Sequence, residues 1–460
     1  MVFASLSFMF ILLPIFLALD FFLRLTQKAQ FRNVALLIVS LFFYIWGEVA
    51  NVFLLLGLGF INYYAGNLIL NSRFSRLALA FFISLNLTVL VGFKYAYWLI
   101  SLVLPDIVSS KPAMPLGISF FTFHAISYLV DIYRRHVAPA KNTLDFLTYF
   151  CMFPHLVAGP IVRFAQVTSD MSARGPDRTL FSFGMYRFLI GLNKKVIIAN
   201  SVAVLVDYTF SMSSLNKLDF VDAWIGIIAY AVQIYFDFSG YSDMAIGLAA
   251  MAGFRFEENF RRPYSSVNIR DFWRRWHISL SSWLRDYLYI PLGGSKGTRQ
   301  ATYRNLLLVF FLCGLWHGAD ITFVLWGLWH GMFLIIERLP VARFLDKLPY
   351  FFARGYTLLV VLVGWVFFRA DNLTNACNYL NDMFSFSPGP VSVVYYTTSM
   401  IALVAGVCIC LLPDKWLPAP ESRNPDAYAI LPYLAQAALA ALSIGLLLTS
   451  SRNPFIYYNF

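Results

Sequence analysis

Phe311-Leu-Cys-Gly-Leu-Trp-His317-Gly-Ala-Asp320 runs directly into Ile321-Thr-Phe-Val-Leu-Trp-Gly-Leu-Trp-His330-Gly331. The stretch is apolar enough to lie in a membrane, yet it repeats the triplet Trp-His-Gly. Hydrocarbon supplies no partners for polar atoms, so an ionisable side chain kept there is by default a functional one. Imidazole changes protonation near neutral pH, which makes it a natural proton-transfer group. Thirteen residues separate His317 from His330. At about 100° per residue that is about 220° around a helix, so a continuous helix cannot show both on one face. Gly318 to Asp320 offer a place for a break. His317 is the candidate catalytic residue and His330 reads as packing. The competing reading of His317 is a buried histidine bonded to a neighbouring helix.

The rest of the chain agrees with a membrane setting. Of 460 residues, 59% are hydrophobic and 13% charged, where a soluble domain carries about 25% charged. Apolar runs recur from residues 5–23 to 427–449, and no polar stretch is long enough for a soluble domain. The expectation is an all-α polytopic membrane protein with residues 1–460 as one integral membrane domain of about ten to twelve crossings. The runs 305–319 and 354–368 fall short of a straight crossing, which points to re-entrant or broken helices lining a cavity. Residues 5–22 lack a basic leader and read as a retained first helix. Arg24, Lys28, Arg32, Arg73 and Arg76 border the first spans, and the positive-inside bias then places the amino terminus outside.

The net charge is +11. Much of it is concentrated between Arg255 and Arg304, where ten basic residues meet four acidic ones. Basic residues that border apolar spans argue against nucleic-acid binding. They fit a cytosolic face that meets anionic lipid heads or an anionic ligand. Within this segment Phe272, Trp276, Ser279 and Trp283 recur at roughly helical spacing, which predicts an amphipathic interfacial helix ended by Pro291-Leu-Gly-Gly-Ser295. The five cysteines form no CxxC pair, so neither a disulfide framework nor a metal site is expected.

Three further groups are candidates. His277 sits in Arg274-Arg275-Trp-His277, either as an interfacial anchor or as a second polar group near the reacting atoms. Arg274 and Arg275 could pair with phosphate. Asp237, Ser239 and Asp243 lie in the apolar run Tyr235-Phe-Asp237-Phe-Ser239-Gly-Tyr241-Ser242-Asp243. They read as polar glue between helices, or as substrate-binding groups that orient a histidine. P-loop, GxGxxG and HExxH motifs are absent from the sequence, which argues against an ATP-driven pump and a metalloprotease.

Taken in order, several stretches resemble the membrane-bound O-acyltransferase family, in its alginate O-acetyltransferase-like branch. They are Pro115-Leu-Gly-Ile-Ser-Phe-Phe-Thr-Phe-His124, Phe153-Pro-His155 to Arg163, Tyr235 to Asp243, Asp271 to Ser295, Leu315 to Gly331, Gly364 to Arg369 and Pro454 to Phe460. The resemblance implies a ring of transmembrane helices with re-entrant and interfacial helices around a thinned central funnel. It implies a multi-pass enzyme of the bacterial inner (cytoplasmic) membrane. His317 matches the family's essential histidine and His277 its second characteristic polar position. The resemblance departs at His155, where related chains often carry glutamine, and no role is assigned to it.

Together these readings predict acyl transfer from a cytosolic thioester, acetyl-CoA or another acyl carrier, with no bound cofactor and no metal. His317 would be the general base on a hydroxyl of a glycan or a periplasmic partner protein. The expected partners are the acyl donor, periplasmic polysaccharide-modifying proteins and membrane lipids. The alternatives are D-alanyl transfer to teichoic acid, a transporter of acyl or glycan intermediates, and a scaffold of an export complex. The absence of internal symmetry counts against the transporter.

Overall fold

A computed structural model of the chain describes residues 2–24, 26, 28–103, 114–173, 177–215, 218–386, 395–412 and 430–449. The terminal stretch 454–460, part of the family resemblance, lies outside the described residues. Every regular element among the described residues is a helix. Among the described residues, six helices are long and apolar enough to cross a membrane: Val52–Asn71, Ser75–Trp98, Arg178–Ser214, Phe220–Met251, Tyr350–Arg369 and Pro432–Thr449. Shorter apolar helices cover Ala29–Ile45, Ile118–Tyr133, Ile321–Ile336 and Thr397–Leu411. The protein is an all-α polytopic membrane protein. Phe53, Leu68, Leu77 and Phe81 stay exposed on the spans, as side chains facing lipid do.

The short run 354–368 belongs to a longer helix. Tyr350–Arg369 has 20 residues, about 30 Å of rise and enough for the hydrocarbon core. It starts directly after Pro349, which precedes the first helical position.

Among the described residues, those of Met1–Leu192, Tyr241–Glu258 and Arg423–Leu447 form one compact unit. Those of Asn193–Gly240, Asn259–Ser422 and Leu448–Phe460 belong to a second.

The first unit buries charge in clusters. The Asp20 carboxylate accepts from Arg24 and Arg32, each at 2.8 Å. The same arginines reach the carbonyls of Met251 and Ala252. Two basic residues that border the first spans in the sequence therefore pin a helix end. Arg187 bridges Asp243, at 2.7 Å, and Glu258. Close helix contact is possible here because Gly184 and Gly247 face each other. A Cβ on either would meet the other's carbonyl oxygen at 2.6 Å. His124 and His155 pack at a tilt with 4.4 Å between ring centres, and Phe256 stacks on His155.

The second unit centres on an antiparallel hairpin of Arg299–His317 and Ile321–Ile336. Gly314 and Gly327 let the two helices approach until backbone meets backbone. A Cβ at Gly314 would stand 2.3 Å from the Phe323 carbonyl oxygen, and one at Gly327 2.2 Å from that of Phe310. The wide π turn Lys194–Asn200 widens one span, a distortion that often marks functional positions. There Lys195 pairs with Asp237 at 2.6 Å, both deeply buried.

Candidate active site

The segment expected as one amphipathic helix is two short helices, Ile269–Arg275 and Ile278–Leu284, broken at Trp276 and His277. Its aromatic residues Phe272, Trp273, Trp276 and Trp283 are buried in protein, not spread on an interface. The break has a local cause. The extended chain before it holds the junction by two backbone bonds, Arg261 N–H to the Arg275 carbonyl and Ile278 N–H to that of Asn259, each 2.9 Å. His277 is forced to φ 43° and ψ 55°, a left-handed conformation that costs a side-chain-bearing residue of order 1–3 kcal/mol.

Asn259 also determines the chemistry of His277. Its Oδ1 accepts from the Ser279 N–H at 3.2 Å and from the Ser279 hydroxyl at 2.9 Å. An atom that accepts from a backbone N–H is the amide oxygen, so the His277 nitrogen 3.1 Å away must donate to it. The proton therefore sits on Nδ1, and Nε2 carries the lone pair. His277 is fully buried, and burial pushes its pKa down to about 3, which keeps the ring neutral near pH 7.

His317 is the last residue of its helix. Gly318 follows in extended conformation, and Asp320 caps the next helix by accepting from the Thr322 N–H at 2.9 Å. The predicted break between the two Trp-His-Gly triplets is present, and it changes what they share. His317 packs on Trp326 at 4.9 Å and His330 on the same ring at 5.4 Å. The face argument holds only for one continuous helix. Folded back as a hairpin, the pair brings both histidines to one indole. Trp316 and Phe368 complete the surroundings of His317 at 4.8 and 5.1 Å. Trp316 also lies 6.2 Å from His277, so one aromatic cluster holds all three rings. Neither ring nitrogen of His330 has a hydrogen-bond partner among the described residues.

The remaining candidates are distributed differently. Asp237 makes the ion pair with Lys195. Ser239 is buried in the same unit, its hydroxyl without a partner among the described residues. Asp243 falls in the other unit, paired with Arg187. Arg275 is tied to Asp271 at 3.0 Å, whereas Arg274 is exposed. Sequence reasoning passed over two residues. Lys195 had a signal, since a lysine inside the apolar run 180–206 needs a carboxylate partner. Asn259 had none beyond its place in a polar turn, because its role rests on contacts with residues eighteen and twenty positions away.

Residues 117–376 match the family described as MBOAT, membrane-bound O-acyltransferase family, a span that contains Asn259, His277 and His317. The chain belongs to the membrane-bound O-acyltransferase family. Two relatives share the name "Probable alginate O-acetylase AlgI". The one from Pseudomonas putida is 39% identical over the full length of both chains. The one from Pseudomonas syringae pv. tomato is 43% identical over 85% of this chain and 77% of its own. A "Peptidoglycan O-acetyltransferase" of Helicobacter pylori is 31% identical over 98% and 96%. This member of the membrane-bound O-acyltransferase family is an O-acyltransferase that works with an acyl donor in a membrane.

Proposed function

We propose that the protein moves an acetyl group from a cytosolic thioester, acetyl-CoA, toward O-acetylation of an extracytoplasmic polysaccharide, alginate foremost, in the inner membrane of a bacterium. The names of its relatives support both the group and the acceptor class. The observation that carries the reading is the aromatic cluster that holds His317 and a neutral, tautomer-defined His277 against one tryptophan.

In this reading His317 takes the proton of an acceptor hydroxyl. The oxygen attacks the thioester carbonyl carbon, the carbon–sulfur bond breaks, and the departing thiolate takes the proton to leave as free CoA. His277, with Nε2 as acceptor, is the second polar group beside the reacting atoms. Such proton transfer is worth about 10²–10⁴-fold, and holding donor and acceptor together contributes more. The hydroxyl belongs to a glycan or to a serine of an extracytoplasmic partner protein.

The experiment supplies radiolabelled acetyl-CoA to purified wild-type and His317→Ala protein in nanodiscs. Release of CoA and the fate of the label are followed, with added glycans present. The reading expects His317-dependent release and a labelled glycan or protein. Full transfer by a folded His317→Ala variant would remove the general-base role. A wild type inert with acetyl-CoA but active with a carrier-protein thioester would replace the donor.

A further inference from the structure

His317 is only 2% exposed, and aromatic side chains fill its surroundings. The ring meets Trp316 at 4.8 Å, Trp326 at 4.9 Å and Phe368 at 5.1 Å between centres, with interplanar angles of 78°, 85° and 73°. Edge-to-face rings about 5 Å apart touch, so no further group fits between these pairs. The three neighbours are placed differently. Trp316 adjoins His317 in the chain, and Trp326 is shared with His330. Phe368 arrives from a separate element, in the last turn of the helix Tyr350–Arg369.

Phe368 is also locked in place. Trp326, Phe323 and Trp365 pack on it at 5.0, 5.2 and 5.5 Å. It is buried, and Arg369 beside it is tied to Asp207 at 2.9 Å. A ring packed this way does not turn aside without disturbing its neighbours.

The chemistry bounds where an acyl group stands. A hydroxyl oxygen that gives its proton to His317 lies about 3 Å from a ring nitrogen. The carbonyl carbon it attacks lies about 3–3.5 Å from that oxygen. The acyl carbon is therefore within about 6–6.5 Å of the imidazole, in the shell that these rings occupy. An acetyl group ends one methyl beyond that carbon. A butyryl group carries two more methylenes, and in close-packed surroundings each must displace a neighbour.

We propose that Phe368 determines the length of the acyl group: its ring is the wall that admits acetyl beside His317 and stops longer chains. This deepens the acyl-transfer reading of His317 and rests on it. One extra methylene in an apolar pocket is discriminated by about 10–200-fold, so a single fixed ring suffices to separate acetyl from butyryl.

The test uses the full-length protein in nanodiscs and two unreactive donor analogues, each with a methylene between sulfur and carbonyl. Acetonyl-CoA stands for the acetyl donor and 2-oxopentyl-CoA for the butyryl donor. Both are titrated calorimetrically against wild type, Phe368→Ala, Phe368→Leu and Trp365→Phe. Trp365 packs on Phe368 but has no ring contact with His317 among the described residues, so Trp365→Phe loosens the same cluster one ring away. Wild type is expected to prefer acetonyl-CoA by at least about tenfold. Phe368→Ala should bring the ratio close to one, Phe368→Leu should fall between, and Trp365→Phe should keep the wild-type ratio. A ratio taken within one protein does not depend on the folded fraction, and Phe368→Leu carries the test where Phe368→Ala fails to fold. Phe368 loses this role if wild type binds both analogues equally, if its variants keep the wild-type preference, or if Trp365→Phe abolishes that preference too. In those cases binding of acetonyl-CoA leaves the donor reading standing. A wild type that binds neither analogue removes the CoA donor, and the role of Phe368 with it.

Discussion

His277 Nδ1 stands 3.1 Å from Asn259 Oδ1, and this contact decides which nitrogen of a buried histidine carries the proton. The oxygen is identified by the Ser279 N–H that also donates to it. A side chain eighteen residues upstream thereby sets the acid–base state of a candidate site.

Asn259 is accordingly a positioning residue. Asn259→Ala strands buried donors on His277 and Ser279, and each lost partner costs about 1–3 kcal/mol. The expected result is a lower melting temperature and reduced kcat. Asn259→Asp places a carboxylate against the ring and raises the pKa of His277. Its kcat–pH profile should then show an acidic limb moved to higher pH relative to wild type. An unchanged profile with unchanged kcat would show that the tautomer does not matter to turnover.

Replacing His317 by Gln keeps a polar side chain of similar reach but removes the base. Acyl transfer should fall by about 10²–10⁴-fold. The melting temperature should fall less than turnover does, because the residue stays packed on Trp316, Trp326 and Phe368. A loss of folding that matches the loss of turnover would make His317 structural.

The hairpin carrying His317 depends on two glycines. Gly327→Ala pushes a methyl group against the Phe310 carbonyl, which a Cβ would approach to 2.2 Å. Overpacking of this kind costs about 1–3 kcal/mol and should displace Trp326 from both histidines. Gly355 in the helix Tyr350–Arg369 has nothing within 4 Å of an added Cβ. Gly355→Ala should therefore be neutral or stabilising by up to about 1 kcal/mol. Thermal melts of the two variants test the contrast, and equal effects would contradict it.

The pair Lys195–Asp237 lies almost wholly inside the protein. Removing one partner, as in Asp237→Leu, leaves an uncompensated charge and should cost about 3–5 kcal/mol. The double variant Lys195→Met/Asp237→Leu should recover most of that loss. Recovery of stability without recovery of transfer would give Asp237 a part in the reaction beyond packing.

Acid should weaken the fold through two histidines outside the spans. Burial lowers His277 to about 3 and His155 to about 4 from an ordinary 6.5. Between these values and 6.5 the unfolded chain binds protons that the folded chain refuses. Stability is therefore full above about pH 6.5 and falls as the pH drops, by up to about 1.4 kcal/mol per unit for each histidine. Melting temperatures taken from about pH 7 to about pH 4.5 should decline, and less steeply in His155→Phe. A flat curve would contradict the sign.

Much of this was legible in the chain. Helical membrane spans follow from apolar run lengths, and the break after His317 follows from Gly318 and Asp320. The aromatic cluster was only half visible, since Trp316 and Trp326 lie within the same short stretch of sequence but the approach of His277 cannot be read from it. The amphipathic reading of residues 268–289 failed because periodicity records burial without recording a bend. Phe272, Trp276 and Trp283 are all buried, but Phe272 and Trp283 lie on two separate helices, and Trp276 lies in the junction beside a strained histidine. Asp237 and Asp243 look equivalent in sequence, yet they pair with different cations in different units.

The sequence by itself determined the class of the protein, because transfer of side chains out of water is a sum over local composition. It also singled out His317, because an ionisable group in apolar surroundings stands out without knowledge of its neighbours. Only the tertiary structure decided that His317 and His330 share Trp326, that Asn259 sets the tautomer of His277, and that Phe368 packs on His317. Each of these rests on groups meeting across long separations in the chain. Hydrogen-bond geometry and ring packing are properties of positions in space, which residue order alone does not encode.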